Sequence, residues 1–447
     1  MSGEVKKASR HYTGQVYAKS YDIIGGKDVM PIGVWSGPDE GMATDHYYTE
    51  MQELGINLLI SPPAYLEHHE ALTQHMKFAD KYRMAVYVPY SDKYLPETKE
   101  QMELVHKEMS VHPSFVGMTH RDEITYAQIW TEYVPVIRAF QETEYAKKYD
   151  YYFNANPIWS GVLGPQFFCG LSYNAYLKAY VSKKGLGCRF LSADFYPFVG
   201  DDDLLIHNYF KQLAVQRDVA YKNGVPFWMY IQCGSMHDNR DLSPTLSGEA
   251  AFRWNVNTAL AYGAKGLAWF TLTYSNFGKN NWWNIYNKTG DKAIADAQAD
   301  GTKAALYNRY KNYEHNCWYD YAARASKHIQ AIDEVLMNSY HAGVIGYGNS
   351  PYKIVKSGRI EGTSWYELTG VSGTADLLIG CLEHEGRTAL YVVCNDCRQG
   401  EARKEATLTF DDAYEYRIIQ DAQERREIGK EVKLSLRGGE GVLVELL

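Results

Sequence analysis

Two adjacent carboxyls, Asp122 and Glu123, stand in the run HPSFVGMTHRDEIT. A carboxylic acid beside a second carboxylate in a walled site has its pKa raised by repulsion and desolvation, and can then hold a proton near pH 7. Such an acid can protonate a leaving oxygen. Hydrolysis of a glycosidic bond needs that acid and a second group that stabilises an oxocarbenium-like centre. Neighbours in a regular strand point to opposite faces, so both carboxyls reach one pocket only if the strand has ended before them. Many Asp-Glu dipeptides instead begin a helix, where their charge meets the helix dipole. A helical stretch does follow here.

The elements that must position the pair are legible from periodicity. Apolar, β-rich runs recur at VMPIGVW (29–35), INLLIS (56–61), MAVYVPY (84–90), FVGMTH (115–120), YYFNA (151–155), FLSAD (190–194), PFWMYIQ (226–232) and GLAWFT (266–271). Their starts lie about 27 to 40 residues apart, near the length of a strand–helix–strand unit. Helical stretches fill the gaps, among them 46–54, 69–82, 98–109 and 248–262, with Gly263 placed to stop the last. Continuous apolar strands alternating with helices imply a parallel sheet covered on both faces. Eight such units predict a (β/α)8 TIM barrel. An open doubly wound sheet would carry a Gly-rich phosphate turn after its first strand, and SGPDEG is not one.

A long helical region is expected over 302–338. From about 345 short strands alternate with turns, which predicts a small antiparallel β-sandwich domain. The expected domains are therefore a catalytic barrel over 1–345 and a sandwich over 346–447. A chain of 447 residues exceeds what one core usually holds.

In such barrels the active site lies at the C-terminal ends of the strands. That rule selects Asp39 and Glu40, Asp92, Asp122 and Glu123, Asn154 and Asn156, Asp194 and Tyr196, Gln232, and Thr273 and Tyr274. His120 and Arg121 flank the acid pair and could bind a sugar hydroxyl. Trp35, Trp159, Trp228, Trp269, Trp282 and Trp283 could stack on sugar rings, although Trp269 lies inside an apolar strand and fits core packing as well. Arg253 and Lys265 fit structural roles.

HPSFVGMTHRDEIT resembles the fourth-strand signature of clan A glycoside hydrolase barrels. VGMTHRDE, LSADFYPF, PFWMYIQ and RWNVNTALAYGAKGLAWFTLTY, in that order, resemble a group of bacterial glycosidase-like barrels. Many of these carry a C-terminal sandwich ending in a Gly-Glu-Gly turn, as GGEGVLVEL does here. The likeness spans essentially the whole chain. It implies cleavage of O-glycosidic bonds in an oligosaccharide or glycoconjugate, with Glu123 as acid/base and with retention.

One position departs from the pattern. Clan A enzymes place a nucleophilic Glu at the end of the seventh strand, where this chain has Gln232. Glutamine cannot form a glycosyl ester. Asp194 could serve as nucleophile instead. Alternatively the substrate's own 2-acetamido group could attack, as in hexosaminidases with adjacent Asp-Glu, with Asp122 orienting it and Tyr196 bonding its carbonyl. Loop acids Asp92, Asp238 and Asp241 are further candidates. Gln232 also admits a non-catalytic carbohydrate-binding barrel, and the scaffold would suit a lyase or transglycosylase. Trp35, Asp92, His120, Asn154, Tyr196, Trp228, Gln232, Tyr274 and Trp282 are the expected sugar-binding residues.

The formal net charge of −8 argues against nucleic acid or an anionic membrane surface as a partner. No apolar run is long enough to span a bilayer. The N-terminal MSGEVKKASRHYTG lacks the apolar core of a signal peptide. Seven scattered cysteines, an odd number, fit free thiols in a reducing compartment, so a cytoplasmic location is expected. Cys394 and Cys397 form a lone C-x-x-C with no second ligand pair, and His68, His69 and His75 are spaced along a helix face. No metal or cofactor is expected.

Overall fold

The structure is a computed structural model. It describes all residues except 1–4, 12–13, 36, 97, 121, 165, 199–202, 234–247, 274–306, 309–313, 316, 361 and 399–400.

Parallel strands form the barrel: β1 (Ile32–Trp35), β2 (Leu58–Leu59), β3 (Ala85–Pro89), β4 (Phe115–Thr119), β5 (Asp150–Tyr152), β6 (Asn154–Ala155), β7 (Leu191–Ala193), β8 (Phe227–Gln232) and β9 (Leu267–Phe270). The sheet order is β5-β4-β3-β2-β1-β9-β8-β7-β6. β5 and β6 are two halves of one extended segment interrupted at Phe153; the first half pairs with β4 and the second with β7. The ring therefore closes with eight strands, each within a residue or two of the apolar run that forecast it.

Both faces of these strands are buried, which is why they read as unbroken apolar runs. β8 shows the division. Phe227, Met229 and Ile231 face the helical layer, whereas Trp228 and Tyr230 face the barrel interior with Tyr21, Tyr87, Tyr152 and Phe190. Rings thus fill much of the interior, with Leu58 and Ile60 among them.

Helices α1 (Asp45–Glu53), α2 (His69–Tyr82) and α3 (Lys99–Met109) follow β1 to β3. Thr44 caps α1, and Thr98 with Gln101 forms a capping box on α3. In α2 the buried residues Leu72, His75, Met76 and Ala79 follow the spacing of one helix face. After β4 come α4 (Tyr126–Gln128), a π turn (Ile129–Tyr133) and α5 (Val134–Gln141), then α6 (Ser160–Leu163), α7 (Tyr173–Val181), α8 (Asp203–Lys222) and α9 (Gly248–Ala261).

The long helical region expected over 302–338 is interrupted by two short strands. β10 (Tyr307–Asn308) pairs antiparallel with β11 (Glu314–His315), and α10 covers Cys317–Asn338, while residues 302–306, 309–313 and 316 lie outside the described residues. A buried stripe, Trp318, Ala322, Ile329, Ile332 and Leu336, sustains α10.

The C-terminal strands are β12 (Ser339–Tyr347), β13 (Leu368–Gly373), β14 (Leu377–His384), β15 (Arg387–Cys394), β16 (Lys404–Gln420), β17 (Gln423–Leu436) and β18 (Gly441–Leu446). They make one antiparallel sheet, ordered β12-β14-β15-β18-β16-β13, with β17 on β16. This sheet begins at Ser339, within the stretch expected to close the barrel. β16 breaks register between Thr409 and Tyr414, so its first part pairs with β13 and its second with β18. The curl buries both faces. Leu378, Tyr391 and Leu443 join the barrel's core, while Leu377, Ile379, Val392 and Val444 form a second core.

Side chains on α9 fasten the sheet to the barrel. Trp254 Nε1 donates to Asn395 Oδ1 at 2.9 Å, Asn257 Oδ1 accepts from the Tyr391 hydroxyl at 2.6 Å, and Arg253 reaches the Gly438 carbonyl. Arg253 thus has the structural role expected of it. So has buried Lys265, which donates to the Leu336 and Ser339 carbonyls. Cys394 and Cys397 are buried free thiols. Among the described residues no cluster of metal-ligating side chains occurs, and no helix is long and apolar enough to cross a membrane.

Candidate active site

β4 ends at Thr119, so Asp122 and Glu123 lie past the strand, as a shared pocket requires. A bulge sets this up. The β3–β4 register shifts at Gly117, whose φ is 153° and where a Cβ would stand 1.9 Å from the Asp150 carbonyl oxygen. No other residue type fits there without moving β5.

Glu123 has φ 51°, a left-handed conformation seldom adopted by a non-glycine residue and often found at functional sites. Several contacts hold it. The Glu123 N–H donates to the Asn154 carbonyl at 3.2 Å. Asn156 Nδ2 donates to the Glu123 carbonyl at 2.6 Å and to that of Ile124 at 3.2 Å. The Tyr176 hydroxyl accepts the Asn156 N–H at 3.0 Å and donates to the Ile124 carbonyl at 2.7 Å. Tyr180 bonds Tyr176 at 2.7 Å. Asn156 is thus a brace beneath the acid loop. Its partners were missed by sequence reasoning, although Tyr173, Tyr176 and Tyr180 at i, i+3 and i+7 mark one hydroxyl-bearing face of α7.

A third carboxyl arrives from β7. Asp194 lies just past the strand, is 5% exposed, and accepts from Asn154 Nδ2 at 3.1 Å. Gln212 Nε2 on α8 holds its backbone carbonyl at 2.8 Å. A hydrogen-bond relay runs down from it into the barrel: Asn154 Oδ1 accepts from Ser192 Oγ at 3.1 Å, and Tyr152 bonds Ser192 at 2.8 Å and Tyr230 at 2.9 Å.

The three carboxyls perturb one another. Burial first, then the Asp122 charge, push Glu123 up to about 8, and a hydrogen bond to Asp194 draws it partly back. Glu123 is nonetheless accessible to solvent. A group crowded by protein on most sides but open toward a mouth behaves so, and that access screens part of the shift. Burial raises Asp122 to about 6 against the Asn154 amide and the Glu123 backbone N–H. Asp194 is held well above its ordinary value by burial and then by the charges of Glu123 and Asp122. One Asp122 oxygen, Oδ1, is buried without a hydrogen-bond partner. This mutual repulsion keeps protons on the cluster near neutrality.

The other expected residues divide. Asn154 bridges the site. Tyr196 is 7% exposed, packs on Phe270 with centroids 4.8 Å apart, and lies near all three carboxyls. Trp35 is half-buried and meets Tyr230 edge-on at 6.0 Å. Asp92 lines a cleft with Trp35.

Three expectations fail on geometry. His120 does not face the mouth: its ring stacks on Tyr151 at 4.6 Å beside Phe153, in the layer under the helices, and burial drives its pKa down to about 3. The alternation restored after the Gly117 bulge turns it outward. Trp228 is 2% exposed and stacked on Phe190 at 4.0 Å inside the barrel, too deep for a sugar. Gln232 is buried, and its amide meets the Phe198 backbone at both ends, accepting from its N–H at 3.2 Å and donating to its carbonyl at 3.1 Å. It braces the chain after β7. Arg121, Asp238, Asp241, Tyr274, Trp282 and Trp283 lie outside the described residues. Trp269 is buried in the core, and Trp159 is half-buried and packs against it.

The fold and site together define a closed parallel barrel with a triple-carboxyl mouth. No family model and no curated protein matches the chain. Solved structures of similar architecture include a GH27 β-L-arabinopyranosidase from Geobacillus stearothermophilus, at 7% identity and TM-score 0.47, covering 96% of this chain and 99% of that one. An Anoxybacillus α-amylase has 10% identity and TM-score 0.44, covering 94% and 98% respectively. A GH99 endo-α-mannosidase from Bacteroides thetaiotaomicron has 12% identity and TM-score 0.40, covering 66% and 86%. Identities this low do not transfer the role of any residue.

Proposed function

We propose that this protein is a retaining glycoside hydrolase acting on an oligosaccharide or glycoconjugate, with Glu123 as acid/base. The observation that carries the proposal is the meeting of Asp122, Glu123 and Asp194 past the ends of β4 and β7, with Glu123 raised and open to the mouth. A carboxyl near pKa 8 is protonated at neutral pH and can give its proton to a departing glycosidic oxygen. The resulting carboxylate then takes a proton from water in the second half of a retaining reaction.

The charge at the anomeric centre needs a partner, and Asp194 is the nearest carboxyl on another strand. In this role it attacks as the carboxylate, after substrate entry parts it from Glu123. The partnerless Asp122 Oδ1 favours a second route: it would accept a hydrogen bond from a substrate amide, whose oxygen then attacks. The test is a screen of neutral and N-acetylated oligosaccharides, with product anomers read by NMR at early times. Release of the retained anomer supports the proposal; binding without release across the panel favours a carbohydrate-binding barrel.

A further inference from the structure

At the same end of the barrel as the carboxyl cluster lies a cleft of about 460 Å³. Its walls come from the segments after β1, β2 and β3, with Trp35, Asp39, Glu40, Ser61, His68 and Asp92 among them. Aromatic rings connect the two places. Tyr196, beside Asp194, packs on Phe270 at 4.8 Å; Phe270 meets Tyr230 at 6.3 Å, and Tyr230 meets Trp35 at 6.0 Å. Trp35 is the partly open end of that strip.

We infer that this cleft holds a further sugar unit of the substrate, and that this unit is neutral or carries an amine rather than a carboxylate or sulfate. The inference rests on the proposed glycosidase function. Sugar rings present a C–H face to an indole and an edge of hydroxyls to acceptors, and the cleft offers both. Its polar groups are also arranged in advance. His68 bridges two acids, with Nδ1 at 2.8 Å from Glu40 and Nε2 at 3.5 Å from Asp92. Thr273 Oγ1 lies 3.3 Å from Asp39 Oδ1. Three carboxylates with one histidine form a field that accepts hydroxyl and ammonium donors and repels anions. A bound polyuronide would set its carboxylates against these three, and among the described residues that line the cleft there is no lysine or arginine.

Binding is measured by calorimetry on the full chain carrying Glu123→Gln, so that turnover does not consume the ligand. The probes are cellotetraose, mannotetraose, the chitin tetramer, the chitosan tetramer and tetragalacturonate. At least one uncharged or amine-bearing tetramer should bind, at least ten-fold more tightly than its monomer, and tetragalacturonate should not. Trp35→Ala should weaken the best tetramer at least ten-fold. If that variant fails to fold, Glu40→Lys with Asp92→Lys, at solvent-exposed positions, should weaken it and admit tetragalacturonate. Tightest binding of tetragalacturonate, unchanged affinity in these variants, or no binding by any probe would overturn the inference. If the wild-type chain cleaves the tetramer while the cleft variants bind it normally, the cleft assignment alone fails. If the variants lose binding but the wild-type chain never cleaves the bound tetramer, the hydrolase assignment alone fails.

Discussion

Replacing Asp122 with Asn should lower the pKa of Glu123. The Asp122 charge is the second cause of the elevation, after burial, and an amide of the same shape removes it without reopening the site. A neighbouring charge moves a carboxyl by roughly 1–3 units. Glu123 is open to solvent on one side, so the effect belongs at the low end, about one unit or about 1.4 kcal/mol. The direction is fixed by sign: with one anion fewer nearby, ionised Glu123 is easier to form. Carbon-13 NMR titration of side-chain carboxyls, with the resonance assigned from Glu123→Gln, reads the midpoint directly and needs no substrate. The midpoint should fall from near 8 toward 7, and the alkaline limb of any activity profile should move with it. A midpoint that stays put or rises would refute mutual repulsion within the cluster.

Other consequences follow from the same geometry. The folded chain holds a proton on Glu123 between about pH 4.5 and 8 that the unfolded chain releases, so stability should decline as pH rises through that window. Glu123→Gln removes this slope, and at pH 8 calorimetry should show it melting higher by about 2–4 °C, after discounting for solvent access. Asn156→Ala takes away the donor on the Glu123 carbonyl at 2.6 Å; kcat should drop roughly ten- to hundred-fold with KM little changed, whereas equal loss in both would mark a binding role. Gly117→Ala places a methyl 1.9 Å from the Asp150 carbonyl and should cost more than about 3 kcal/mol, seen as insoluble protein or a large fall in melting temperature. Residues 1–345 expressed alone should be insoluble, since Trp254 and Asn257 lose Asn395 and Tyr391; a soluble, cooperatively melting fragment would contradict this.

The barrel was legible because a strand buried on both faces must be apolar at every position. FWMYIQ and LAWF admit few other readings, and the periodic spacing supplied the count. The antiparallel sheet was legible from its turns, but not its connection into one curled sheet, because the β16 bulge near Thr409 leaves no local signature. The short pairing of Tyr307–Asn308 with Glu314–His315 was not legible, because Leu306, Tyr310 and Tyr313 stand at helical spacing.

Within the site, the order of the carboxyls along the chain was enough to place Asp122, Glu123 and Asp194 at one mouth. The side chains around them were harder to place. His120 looked accessible from its neighbours, but a one-residue bulge at Gly117 decides which way it points. Gln232 ends β8 and Asn156 follows β6, both carry an amide, and only the folded chain shows that each is bonded to nearby main chain. Trp228 differs from Trp35 only in depth along the barrel axis.

The most direct test of Glu123 as the acid varies the leaving group. Once a cleavable sugar is known, Glu123→Ala is assayed on its aryl glycosides with acidic and with weakly acidic phenols. Glu123 as proton donor predicts a loss of at least roughly a thousand-fold for the poor leaving group and little change in the bond-breaking step for the good one. Equal losses for both would contradict that role.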